Sequence, residues 1–188
     1  MVLTQTSSAG IQAVLNYIYT NKIAFSIKTA EPIIACSKEL ELNRLISFCE
    51  SELLNLLNTN PIRVLSIAFK FDLKQCFDCS FQHVCDHFDE CVQHDQFLTL
   101  VPELILKLFF NTAQRNEIVL LERTLNWIQF NLNRYSYRTG ILLLNEIHFN
   151  EISPAQIKQI AASNYFLLQT TELNKYFQEK KKYKHKII

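Results

Sequence analysis

Residues Cys76 to His94, "CFDCSFQHVCDHFDECVQH", bring four cysteines and three histidines into one short stretch. Thiolate and imidazole are the commonest zinc ligands, and a Cys-x-x-Cys pair is also the unit of dithiol redox chemistry. At about 100° per residue, Cys76, Cys79, His83, His87, Cys91 and His94 fall on one helical face. Phe77, Phe81, Val84, Cys85, Phe88 and Val92 fall on another, which reads as the core stripe. Zinc ligands must converge to within about 2.0–2.3 Å of one ion. On a continuous helix Cys76 and His87 are about 16 Å apart. One helix can supply a pair such as His83 and His87, but not a full ligand set.

The motif patterns agree. His83-Val84-Cys85-Asp86-His87 has the histidine spacing of H-E-x-x-H with valine in place of the general-base glutamate. Cys76-x-x-Cys79 lacks both a second C-x-x-C and the βαβ setting of a redox pair. The stretch is therefore expected to pack a helix, with no metal site, no catalytic residue and no cofactor site. A small metal- or thiol-dependent helical protein is the alternative from another functional class.

The surroundings are helical. Only Gly10 and Gly140 occur, so no phosphate-binding glycine loop and no G-x-S-x-G elbow can be written. Scarce glycine and four prolines also argue against an all-β chain. Asn60-Pro61, Asn116-Glu117 and Ser153-Pro154 read as helix starts. They precede the apolar stripes Ile62/Leu65/Phe69, Leu121/Leu125/Ile128/Leu132 and Ile157/Ile160/Ala161. Only Ile23 to Ile27 alternates in the manner of a short strand. The fold class is all-α with at most one short strand.

The 188 residues are 48% apolar with a net charge of +1, which gives neither the signature of disorder nor that of a nucleic-acid binder. Five of the 19 basic residues lie in the tail, at Lys180, Lys181, Lys182, Lys184 and Lys186, so the rest is mildly acidic. That run is a candidate nuclear-import or phosphate-binding patch, although a solvated, disordered end is its commoner meaning. No amino-terminal leader and no membrane-length apolar run is evident. The expected setting is cytoplasmic, with nuclear entry as a second location, no membrane or nucleic-acid partner and no small-molecule substrate. Six cysteines are then expected as thiols.

Leu15 to Leu53 resembles the second half of a BTB domain. The resemblance rests on Leu15, Tyr17, Ile18, Tyr19 and Thr20, then on Ala35, Cys36, Leu40, Leu42, Cys49 and Leu53. Asn60 to about Phe177 is similar to a BACK domain through Ala68, Phe71, Phe88, Phe97-Leu98, Leu100, Glu117, Leu120-Leu121, Trp127-Ile128, Ile147, Phe149 and Ile152. The resemblance implies that Cys76, Cys79 and His87 stand where the family carries leucine, alanine and asparagine, as packing residues.

It also implies a division into a partial BTB at 11–56, a BACK domain at 58–178 and a basic tail at 179–188. The implied function is a non-enzymatic substrate adaptor of the kelch-like kind in a cullin ubiquitin ligase. Its implied partners are a cullin-type scaffold, a second copy or another BTB protein. A remnant or competitor without ligase activity is the alternative, because the BTB amino-terminal half and kelch repeats are not found in this sequence. No individual protein-binding residue is assigned; the contact surface is expected on exposed faces between Glu39 and Phe71. Leu15/Ile18/Tyr19 and Ile33/Ile34/Leu45 are expected to lack packing partners. The 58–178 part is expected to be stable and monomeric alone.

Overall fold

A computed structural model describes residues 7–164 and 171–184, the side chains of 178–184 excepted. The chain forms two compact units, one up to Asp86 and one from His87.

The first unit contains helices α1 (Ser8–Thr20), α2 (Ala30–Glu39), α3 (Asn43–Asn55), α4 (Pro61–Lys70) and α5 (Lys74–Asp86). α1 packs on α2, α2 on α3, α3 on α5 and α4 on α5. Its core draws on all five helices: Val14, Ile33, Ile34, Leu45, Cys49, Leu53, Val64, Ile67, Ala68 and Cys76 are buried in one cluster, with Leu73 from the α4–α5 turn. Each large aliphatic side chain taken fully out of water contributes roughly 1.5–3 kcal/mol. Gly10 lets α1 approach α2 closely, since a Cβ there would lie 2.4 Å from the Pro32 carbonyl oxygen.

With glycine so scarce, the turns after α1, α2 and α4 put Asn21, Glu41 and Asp72 in the left-handed region, at φ of 54°, 55° and 48°. Each such residue costs roughly 1–2 kcal/mol of backbone strain, which the shared core must offset.

Ile23 to Ile27 keeps the expected alternation, with Ile23, Phe25 and Ile27 half-buried between exposed Ala24 and Ser26. It forms no strand, and no strand occurs among the described residues. Alternation orients side chains, but a ladder needs a partner for its backbone N–H and C=O groups.

The second unit contains α6 (Phe88–Cys91), a 3₁₀ turn at Asp95–Thr99, α7 (Pro102–Asn111), α8 (Glu117–Phe130), α9 (Tyr137–Asn145), a 3₁₀ turn at Phe149–Glu151, α10 (Pro154–Ser163) and α11 (Thr171–Lys184). α9 packs on α7, α8 and α11, and α8 also meets the first 3₁₀ turn. Trp127 of α8 is buried, donates its indole N–H to the Leu100 carbonyl at 2.9 Å and stacks on Tyr135 at 5.3 Å. Asn131 donates to the carbonyls of Leu98 and Trp127.

The expected helix starts are found at all three places, with different chemistry. Ser153 and Gln156 form a reciprocal capping box, and the Asn116 side chain accepts from the N–H groups of Ile118 and Val119. Asn60 makes no side-chain cap bond, and Pro61 alone opens α4. Leu132, expected on the α8 stripe, lies beyond the helix and is exposed, because α8 ends at Phe130.

One further expectation is corrected. Ile33, Ile34 and Leu45 are fully buried rather than open, since α1, α3 and the α4–α5 pair close over them. Within residues 58–178, α4 and α5 pack into the core of the first unit, and the helices from α6 onward belong to the second. Residues 179–184 of the expected tail continue α11, whereas 185–188 lie outside the described residues.

A fragment beginning at residue 58 strips Val64, Ile67, Ala68 and Cys76 of their core neighbours. It should aggregate and bind a hydrophobic dye, while a fragment beginning at His87 should stay monomeric and melt cooperatively. Light scattering and thermal melting of the two fragments check this.

Candidate functional site

The cysteine and histidine stretch does not assemble. The helix expected to run through Val92 stops at Asp86, and His87 interrupts it at φ −117°, ψ 35°. Cys76, Ser80 and Val84 are buried in the first unit, whereas Phe88, Cys91 and Val92 are buried in the second. The periodicity reads straight through the break because Val84, Phe88 and Val92 keep four-residue spacing across it.

The buried face is also turned from the expected stripe. Cys76 is in the core, while Phe77, Phe81 and Cys85 are only half-buried. Phe69, Phe77 and Phe81 form a ring series at 5.9 and 5.4 Å. Cys79, His87 and His94 are exposed, and His83 is half-buried.

None of the six cysteines is in a disulfide. Burial, reinforced by nearby Glu50 and Cys79, pushes the Cys76 thiol up to about 12. Burial pushes Cys49 to about 12 and Cys91 to about 11, with adjacent glutamates acting in the same direction. Cys36 is raised by burial and then by Glu39. Thiols held above their ordinary range are weak nucleophiles and weak ligands at neutral pH. Exposed Cys79 borders an open cleft of about 460 Å³ lined by Glu50, Lys74, Gln75 and Asp78.

The first unit presents an apolar face as well. Leu15, Ile18 and Tyr19, at helical spacing on α1, are 41%, 52% and 83% exposed, and Phe48 of α3 is 38% exposed. This is the face expected to lack a partner. Between Glu39 and Phe71 the surface is mostly polar. Glu31 holds both Arg63 and Lys70, the latter at 2.5 Å, and the Lys38 ammonium caps the Phe71 carbonyl.

A second polar assembly, in the second unit, had no counterpart in the sequence reading. Arg115 and Glu117 form an ion pair at 2.6 Å with side chains 6% and 4% exposed. The same guanidinium donates to the carbonyls of Phe109 and Glu146, both at 2.6 Å. It also lies over the Phe109 ring at 5.6 Å. Arg115 therefore ties the end of α7, the start of α8 and the end of α9 with one side chain. The second Glu117 oxygen accepts from the His148 backbone N–H at 2.9 Å.

His148 Nδ1 lies 3.4 Å from Glu117 Oε1 and 3.5 Å from Glu151 Oε1. An open cleft of about 440 Å³ lies against these residues, bordered also by Phe110, Thr112, Ala113 and Glu146. Arg115-x-Glu117 and His148-x-x-Glu151 are local patterns, but their meeting depends on a 31-residue separation that no spacing rule reveals.

The family model described as BTB And C-terminal Kelch (BACK) matches residues 61–162, and that of the BTB/POZ domain matches residues 1–57. Kelch-like protein 31 of Homo sapiens is 27% identical over 176 residues, covering 92% of this chain and 27% of the relative. Kelch repeat and BTB domain-containing protein 3 of Homo sapiens is 23% identical over 175 residues, covering 91% of this chain and 28% of the relative. Kelch-like protein 11 of Homo sapiens is 27% identical over 124 residues, covering 64% of this chain and 18% of the relative. The chain spans about a quarter of the length of the first two relatives.

Two outcomes follow from this geometry. With a disulfide thiol reagent at pH 8, Cys79 should react first, and Cys49, Cys76 and Cys91 only after denaturation. A thiol with a value of about 12 is ionised to roughly one part in ten thousand at that pH. Arg115→Met leaves the buried Glu117 carboxylate without its guanidinium partner and should destabilise the protein by about 3–5 kcal/mol in urea titration. Arg63→Met, which removes an exposed partner of Glu31, should cost about 1 kcal/mol or less.

Proposed function

Because the chain belongs to the BTB–BACK family of kelch-like proteins, we propose that it serves as a non-enzymatic adaptor whose protein contacts connect it to a cullin-RING ubiquitin ligase. An adaptor-type interaction module is the reading that the two domain matches support directly. The cullin-type scaffold, self-association and the cytoplasmic setting are the finer parts of the proposal.

The observation that carries the interaction role is the α1 face. Leu15, Ile18 and Tyr19 stand in water on a helix whose adjoining side, at Gly10 and Val14, is buried. Apolar area left exposed forgoes about 25 cal/mol per Å² of burial. Such a face favours a second copy or another BTB protein as its cover. The mixed-charge surface between Glu39 and Phe71, where Arg63 and Lys70 pair with Glu31 of α2, suits a polar contact whose rim charges set the rate and the register of docking.

The adaptor reading makes separate demands on the two surfaces. Purified full-length chain should retain the amino-terminal domain of a cullin in a pull-down, and Lys70→Glu with Arg63→Glu should weaken that retention at least tenfold. In light scattering the chain should self-associate, and the exposed substitutions Leu15→Ser, Ile18→Ser and Tyr19→Ser together should return it to a monomer. Absence of cullin retention by the unmodified, folded chain would remove the ligase part of the reading. A monomer with the α1 face intact would remove self-association.

A further inference from the structure

The cluster of Glu117, His148 and Glu151 belongs to neither interaction surface described above. One carboxylate oxygen from each glutamate and Nδ1 of the histidine lie within 4.8 Å of one another. We propose that these three side chains form a divalent transition-metal site of zinc type, in which a bound ion bridges the start of α8 to the 3₁₀ turn after α9.

The distances fit such an ion. Ligands about 2.0–2.2 Å from a tetrahedral zinc stand about 3.3–3.6 Å from one another. Nδ1 of His148 is 3.4 Å from Glu117 Oε1 and 3.5 Å from Glu151 Oε1. Two edges of a coordination tetrahedron are therefore already at length. One imidazole and two carboxylates form a borderline donor set, suited to zinc or cobalt rather than to calcium or magnesium.

The surroundings also fit. Glu117 is held by the Arg115 Nε–H on Oε1 and by the His148 backbone N–H on Oε2. Each oxygen of an ionised carboxylate has two lone-pair directions, so both keep one free. Hydrogen bonds of this kind orient a metal-bound carboxylate from behind. Charge is consistent as well. Glu117, Glu146 and Glu151 border the cleft with Arg115 as the fixed cation, leaving an excess of two negative charges that a divalent ion neutralises. His148 and Glu151 are 60% and 58% exposed, so the cleft admits an ion and leaves its remaining position to water.

The site differs from the cysteine-rich stretch in its readout. Full-length chain, with thiols reduced, is titrated with cobalt(II) chloride and then with zinc chloride. One equivalent of cobalt should give the visible bands of a tetrahedral nitrogen and oxygen site, without thiolate charge-transfer absorption, and zinc should displace it. His148→Ala and Glu151→Gln alter exposed side chains and should leave the melt of the metal-free protein in place while each weakens binding at least tenfold. Zinc in excess should raise the melting temperature of the unmodified chain and not that of His148→Ala. Three results would overturn the proposal: no saturable binding, binding by both variants as tight as that of the unmodified chain, or thiolate bands that vanish with Cys79→Ser.

Discussion

The core of the first unit cannot be completed without α4 and α5. Ile33, Ile34, Leu45 and Leu53 come from the part that matches the BTB domain, and Val64, Ile67, Ala68 and Cys76 from the part that matches BACK. The family boundary in sequence therefore crosses a single packed interior. Close packing makes each side dependent on the other, because unfilled volume in an interior costs both transfer and cavity energy. The strained backbone at Asn21, Glu41 and Asp72 depends on the same core. These residues form the turns after α1, α2 and α4, where no glycine stands.

The second unit meets a different requirement with a polar device. Arg115 satisfies two carbonyls at helix ends and one buried carboxylate, and it covers the Phe109 ring. Carbonyls at a helix end have no partner within the helix, and burying them demands a donor from elsewhere. One guanidinium, with five donors in a fixed plane, meets that demand for α7 and α9 together. Glu117 gains from its place in the first turn of α8, where the helix dipole favours a negative charge.

For an interaction module, the arrangement separates what must be rigid from what must be available. Val14, Ala30 and Ile34 fix the inner side of α1 and α2, while Leu15, Ile18 and Tyr19 remain outside. No described helix is long and apolar enough to cross a membrane, so these residues do not form a spanning segment. The four shifted thiols occupy positions where their size and low polarity matter more than their reactivity.

Much of the molecule was legible in the sequence because it rests on local rules. Helical periodicity around Ile62, Leu121 and Ile157, the proline starts at Pro61 and Pro154, and the lack of glycine loops together require an all-α chain. The order of residues from Leu15 to Ile152 was enough to indicate the BTB–BACK family. Tertiary packing alone decided which face of α5 is inward, because Cys76 and Phe77 differ by only about 100° and either could have faced the core. It also decided the break at His87, which lies inside an unbroken four-residue rhythm. The meeting of Glu117 with His148 was equally out of reach: a contact across 31 residues depends on how α8 and α9 pack, and no local propensity encodes that.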